Sequence, residues 1–283
     1  MSYKKGIDVS QFQGEIDWEK VKPQIDFVIL RAGYGAGNID PYFVRNASEC
    51  TRLGIPFGIY WFSYAWTADM AANEAEYCLD AIAPYKLSYP VFYDFEYDSV
   101  SRAQSHGVTV TKALATEIVD TFLTAVKQVG YQVMNYSNPN YLNQYFDSAL
   151  LDKYDLWLAQ YLNSPDPDSP PRDCAIWQYS SMESIDGISG NVDCNAAYKD
   201  FESEDEMAKI IDQIAANCNT TPDDIIVRLS VLCANANTTI EPCETDGVAY
   251  LKTQGIITSD HDPREPIGYG TYGIMKQREA NKN

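Results

Sequence analysis

Histidine is nearly absent from this chain: there are two in 283 residues, His106 and His261. That leaves little for a zinc centre or a Ser-His-Asp relay. Cations are also in deficit, with 21 Lys and Arg against 40 Asp and Glu and a formal net charge of −19. Nucleic acid is bound through basic patches, so this balance argues against it as a partner, and against simple attraction to any anionic surface. No stretch approaches the ~18 consecutive apolar residues of a membrane-spanning helix, so no membrane insertion is expected. The opening Met-Ser-Tyr-Lys-Lys-Gly-Ile-Asp-Val-Ser has no apolar segment of the kind a signal peptide carries, and none is expected. The seven cysteines are odd in number and include no Cys-x-x-Cys pair, which fits reduced thiols made in a cytosol. Gly33-Tyr-Gly-Ala-Gly37 follows a strand candidate, but its spacing is wrong for a dinucleotide fingerprint. No cofactor and no metal ion is expected.

Apolar and aromatic residues are plentiful, at 45% and 13%, with 21 Tyr. Apolar, β-branched runs give eight strand candidates, at 5–9, 27–32, 56–62, 90–95, 131–136, 156–160, 175–179 and 191–194. Helix-like segments at 18–21, 41–53, 67–82 and 111–129 separate the earlier ones. Such β-then-α alternation predicts a parallel sheet, most simply closed as a barrel. The last three strands are too close for full helices between them, and 161–171 is a proline-rich loop. The expected fold is therefore α/β, an irregular (β/α) barrel of eight strands and few helices over residues 1–202. Composition shifts after Phe201, where Glu202-Ser-Glu-Asp-Glu206 looks like a linker. Thr221-Pro-Asp-Asp then reads as a helix start, and residues 203–283 as a small α-helical domain.

Chemistry concentrates in Tyr89-Pro-Val-Phe-Tyr-Asp-Phe-Glu-Tyr-Asp98. Alternate side chains of a strand share a face, so Asp94 and Glu96 would lie side by side on backbone positions about 6.5 Å apart. Two carboxyls at a strand end suit glycosidic-bond cleavage, which needs a proton donor and a charge to stabilise a cationic centre. Turn-capping acids, or a hard-cation site completed by Asp98, are the alternatives on this segment alone. In a barrel, the C-terminal strand ends also collect Asp8 and Asp193. Tyr34, Tyr60, Tyr64, Tyr136, Gln160, Trp177 and Gln178 fall there too, as a set able to stack on sugar rings and hydrogen-bond their hydroxyls.

At this point the chain resembles a known family. Lys5-Gly-Ile-Asp-Val-Ser-Gln-Phe-Gln-Gly14 followed by Ile16-Asp-Trp18 is similar to the opening of glycoside hydrolase family 25 muramidases. Phe27-Val-Ile-Leu-Arg-Ala-Gly-Tyr34, Gly58-Ile-Tyr-Trp-Phe62 and Pro90-Val-Phe-Tyr-Asp-Phe-Glu96 follow in family order. So do Leu156-Trp-Leu-Ala-Gln-Tyr161, Ile176-Trp-Gln-Tyr179 and Gly187-Ile-Ser-Gly-Asn-Val-Asp-Cys-Asn195. The resemblance implies a barrel that cleaves the β-1,4 bond after N-acetylmuramic acid in bacterial peptidoglycan. It makes Glu96 the general acid and base, with Asp94 beside it orienting the substrate's 2-acetamido group and net retention as the outcome. Direct water attack with inversion is the rival. Asp8 and Asp193 would flank the pair, and Arg31 is assigned no role. A muramidase with a small extra module and no signal sequence resembles a bacteriophage endolysin, made in the host cytoplasm and acting on the wall after release. Residues 203–283 would then bind the wall, hold two chains together as a homo-oligomer, or only support the barrel. A non-catalytic glycan-binding protein on a degenerate barrel is the competing class.

Overall fold

The computed structural model describes residues 3–201, with Ala215 and Thr221 as isolated positions. The helical unit expected at 203–283 otherwise lies outside the described residues. Nine strands are described: β1 (Lys4–Val9), β2 (Phe27–Tyr34), β3 (Asn38–Ile39), β4 (Phe57–Phe62), β5 (Val91–Asp94), β6 (Val133–Ser137), β7 (Leu156–Ala159), β8 (Ile176–Glu183) and β9 (Val192–Ala197). β3 is a two-residue hairpin partner of the end of β2. The other eight run β1-β9-β8-β7-β6-β5-β4-β2, and pairing of β2 with β1 closes the ring. The barrel expected from the sequence is thus present.

One strand departs from the expected parallel order. β9 is antiparallel to both neighbours, β8 and β1. The link 184–191 is too short for the crossover of a dozen or more residues that a parallel return requires, so β9 must come back as a hairpin partner.

Helices α1 (Trp18–Val21), α2 (Phe43–Leu53), α3 (Ala68–Ile82), α4 (Tyr97–Ser105), α5 (Lys112–Gln128), α6 (Pro139–Gln144) and α7 (Ser148–Lys153) fill the earlier crossovers, and β7 connects to β8 without one. α3 shows why they form where they do. Thr67 accepts the Met70 N–H at 3.2 Å as an N-cap, and Ala71, Ala75, Cys78 and Ile82 recur on one buried face.

Strand alternation separates two apolar cores. Phe27, Ile29, Phe92, Met134, Trp157 and Ile176 fill the barrel interior, with Phe27 stacked on Tyr89 at 4.3 Å. Val28, Leu30, Ile59, Trp61, Val91 and Tyr93 point outward into the core beneath the helices. Because both faces are buried, the strands read as nearly unbroken apolar runs. Gly6 in the opening motif is a packing requirement: a Cβ there would lie 2.2 Å from Cζ of Phe27. The described cysteines, Cys50, Cys78, Cys174 and Cys194, are free thiols. No helix among the described residues is long and apolar enough to cross a membrane.

Candidate active site

Period two decides which side chains stand above the apolar floor of the barrel. Two residues beyond Ile29, Phe92, Met134 and Ile176 come Arg31, Asp94, Tyr136 and Gln178, all inward at the C-terminal end of the parallel strands. Asp8 of β1 is hydrogen-bonded to Gln178, and Tyr60 of β4 pairs with Arg31 and packs against the interior cluster, so both join this layer. Asp193 arrives differently from expectation. It sits at the start of β9, not at a C-terminal strand end, and reaches the layer because β9 is reversed, which sets it across from Asp8.

Asp8 is buried, and its Oδ2 accepts Nε2 of Gln178 and Nδ2 of Asn195, both at 2.8 Å. Burial, then the charge of Asp193, push its carboxyl well above the ordinary aspartate range, while the two amide donors pull the other way. Asp193 is raised as well, by burial, and a hydrogen bond joins the two carboxyls. Two acids so placed hold one proton between them.

Asp94 is buried and its Oδ1 has no hydrogen-bond partner. Burial, then Glu96 and Asp8, push its carboxyl up; Arg31 pulls it down. The strand ladder ends at Asp94, so Glu96 lies just past β5 as the N-cap residue of α4, on still-extended backbone with φ −142° and ψ −156°. Alternation therefore carries on through Phe95, which is buried in the outer core, and returns Glu96 to the side of Asp94. Glu96 is half-buried. Burial, then Asp98 and Asp193, push its carboxyl up to about 7.

A polar chain fixes the backbone under this pair. Glu74, buried on α3, accepts the Tyr64 N–H at 2.9 Å and the Tyr93 hydroxyl at 2.7 Å. Tyr93 also meets Ser63 Oγ at 2.8 Å, and the Ser63 N–H donates to the Asp94 carbonyl at 2.8 Å. Ser99 Oγ donates to the Ser63 carbonyl at 2.7 Å and accepts the Glu96 N–H at 3.1 Å. Burial pushes the Glu74 carboxyl up to about 7.

The remaining residues of the predicted set divide. Tyr60 and Tyr136 line the hollow, packed edge-on against Trp157 at 6.2 and 4.6 Å between ring centroids. Tyr34 and Tyr64 are half-buried and meet each other edge-on at 6.1 Å. Gln178 is buried and spans the site, taking the hydroxyls of Tyr136 and Tyr161 on Oε1 at 3.2 and 2.7 Å. Gln160 contributes its carbonyl, which accepts Trp177 Nε1 at 2.8 Å. Trp177 does not reach the hollow: its neighbours Ile176 and Gln178 point in, so it points out and is fully buried in the outer core. Among the described residues no trio of His, Cys, Asp or Glu could hold a metal ion, so Asp98 does not complete a cation site with Asp94 and Glu96. Asn195 and Tyr161 were not anticipated. Asn195 is legible in hindsight, two residues from Asp193 on the same strand face; Tyr161 closes the Leu156–Tyr161 motif of the family resemblance, but strand period does not mark it as a site residue.

Residues 7–188 match the sequence model of glycosyl hydrolases family 25. This chain belongs to that family. The modular autolysin LytC of Streptococcus pneumoniae, solved in complex with a synthetic peptidoglycan ligand, is 33% identical with a TM-score of 0.60; the match covers 69% of this chain and 47% of LytC. Lysozyme M1 of Streptomyces globisporus is 27% identical over 198 residues, 68% of this chain and 66% of its own length. A family 25 glycosyl hydrolase from Bacillus anthracis shares the fold at 23% identity, with a TM-score of 0.59 over 72% of this chain and 92% of that one.

Proposed function

We propose that this family 25 chain is a peptidoglycan hydrolase, a lysozyme that cleaves the β-1,4 bond between N-acetylmuramic acid and N-acetylglucosamine. The observation that carries the reading is Glu96, half-buried at the mouth of the barrel, its carboxyl pushed up to about 7 beside a buried Asp94. A carboxyl of that kind holds a proton near neutrality and gives it to the glycosidic oxygen as the bond to C1 breaks. The unpartnered Oδ1 of Asp94 accepts the N–H of the 2-acetamido group. The acetamido oxygen then bonds to C1 as the leaving group departs, and water opens the resulting ring with Glu96 as base, giving net retention. Asp8 and Asp193, sharing a proton, border the acetamido pocket. The pneumococcal autolysin and lysozyme M1 support the substrate class.

Glu96→Gln is expected to lower turnover roughly 10²–10⁴-fold, the usual size of acid–base catalysis. Near-parental activity would remove Glu96 from the role. Mass analysis of fragments from purified peptidoglycan should show muramic acid at the new reducing ends. An inverted anomer by NMR would replace the acetamido route with water attack and make Asp94 the base. Residues 203–283 are assigned to wall binding. Sedimentation with cell walls of the full chain, against a chain ending at residue 202, tests this, and a change of mass alone would assign them to pairing two chains.

A further inference from the structure

Asp94 has to be an anion to hold the acetamido group, and its surroundings oppose that. Asp8 of β1 and Glu96 beyond β5 add negative charge beside it, Asp193 of β9 stands across from Asp8, and the hydroxyls of Tyr60 and Tyr136 close the flanks. Arg31 of β2 is the cation that acts on it.

The placement of Arg31 is specific. Its side chain is 9% exposed, and Nε donates to Asp40 Oδ2 at 2.7 Å. Asp40 is itself anchored by the N–H groups of Gln11 and Tyr42, both at 2.9 Å. The rings of Phe12 and Tyr34 lie 5.0 and 5.5 Å from the guanidinium carbon, within cation–π range. Asp40 thus grips one edge of the fork only. Nη2 is buried without a partner, and so is Oδ1 of Asp94 in the same inward layer. A guanidinium serving only as half of a structural ion pair would be expected to use its donors on that pair.

We propose that Arg31, clamped by Asp40, is the positioning residue that keeps Asp94 a carboxylate while Glu96 retains its proton. This rests on the roles given above to Asp94 and Glu96. The consequence has a sign: without the cation, Asp94 takes up its proton at higher pH, so the acid limb of kcat/KM moves upward.

The test measures kcat/KM on solubilised peptidoglycan from pH 4 to 8 for the parent, Arg31→Gln, Arg31→Lys and Glu96→Gln, with folding checked by circular dichroism. Gln keeps a donor for Asp40 but carries no charge. Its acid limb is expected to rise by about one unit or more, since an opposite charge at close range lowers a carboxyl by about 1–3 units. Below both limbs that is about a tenfold loss. Lys should hold the limb close to the parent's. A folded Arg31→Gln with reduced activity but an unmoved limb overturns the proposal, as does a Lys variant whose limb moves as far as that of Gln. If Arg31→Gln does not fold, Arg31→Met is read by the same criterion, and if neither neutral variant folds the proposal falls in favour of a purely structural ion pair. A Glu96→Gln variant that keeps turnover would sink the underlying acid assignment; loss of turnover there with an unmoved Arg31→Gln limb sinks only the role of Arg31.

Discussion

Replacing Glu74 by Gln separates charge from shape at a buried position. In the folded chain burial outweighs the donors from Tyr93, Tyr64 and Ser63, and the Glu74 carboxyl is pushed up from 4.5 to about 7. Between those values the folded state binds the proton more readily than the unfolded state, so this group's contribution to stability is full below about pH 4.5 and is lost as pH rises through 7. From pH 5 to pH 8 the loss is about 2–3 kcal/mol. Gln does not titrate, so its stability should decline over that range by about 2–3 kcal/mol less than the parent's. A uniform penalty of about 1–3 kcal/mol should sit on top, because one amide oxygen cannot replace a carboxylate facing both the Tyr64 N–H and the Tyr93 hydroxyl. Urea unfolding of both full-length proteins, followed by tryptophan fluorescence at several pH values, reads the difference. The other raised acids act in both proteins and cancel. Parallel pH dependences for the two chains would refute the reasoning.

Two further perturbations probe the barrel's interior. Asn195→Leu leaves Trp157 Nε1 without its acceptor and Asp8 Oδ2 with one amide donor, Gln178, in place of two, and should cost about 1–3 kcal/mol, read by urea unfolding; a loss under about 1 kcal/mol would show that the indole N–H finds another partner. Gly6→Ala drives a methyl into the Phe27 ring, and overpacking of this kind should destabilise by about 1–3 kcal/mol, with partial recovery in the Gly6→Ala/Phe27→Leu double variant. An unchanged melting temperature for Gly6→Ala would mean that Phe27 is not fixed against Tyr89.

The strands were legible because both their faces are buried, so runs such as Phe27-Val-Ile-Leu stand out by composition alone. The helix α4 was not. Its residues are largely polar, only Ser99, Val100 and Ala103 are buried, and what starts it is the turn at Glu96 and Ser99, not an apolar stripe. The direction of β9 was also hidden, since a strand's own residues do not encode which way it runs; the length of the preceding link does. Within the site, residue type misled where period would have served. Trp177 looks like a sugar platform, yet the inward Gln178 beside it forces the indole outward. The same period, counted from Ile29 and from Asp193, picks out Arg31 and Asn195. Tyr161 depends on how the loop after β7 folds back to Gln178, which no local pattern carries.

Four carboxyls in one hollow cannot all ionise. Two such charges about 5 Å apart repel by about 3 kcal/mol at the effective dielectric of a protein site, before any cost of burial. The geometry relieves this unevenly. The hydrogen bond between Asp8 and Asp193 removes one charge by sharing a proton, and the amides of Gln178 and Asn195 steady the oxygen of Asp8 that faces them. Glu96, half-buried, keeps its own proton up to about pH 7. Burial, Glu96 and Asp8 all push Asp94 toward its protonated form, so the anion proposed there depends on Arg31, the group of the inward layer whose charge favours it. Raising pH past 7 therefore acts twice: it removes the acid from Glu96, and it adds charge to a hollow that was folded around fewer. Activity and stability should decline together on the alkaline side, because the same protons serve both.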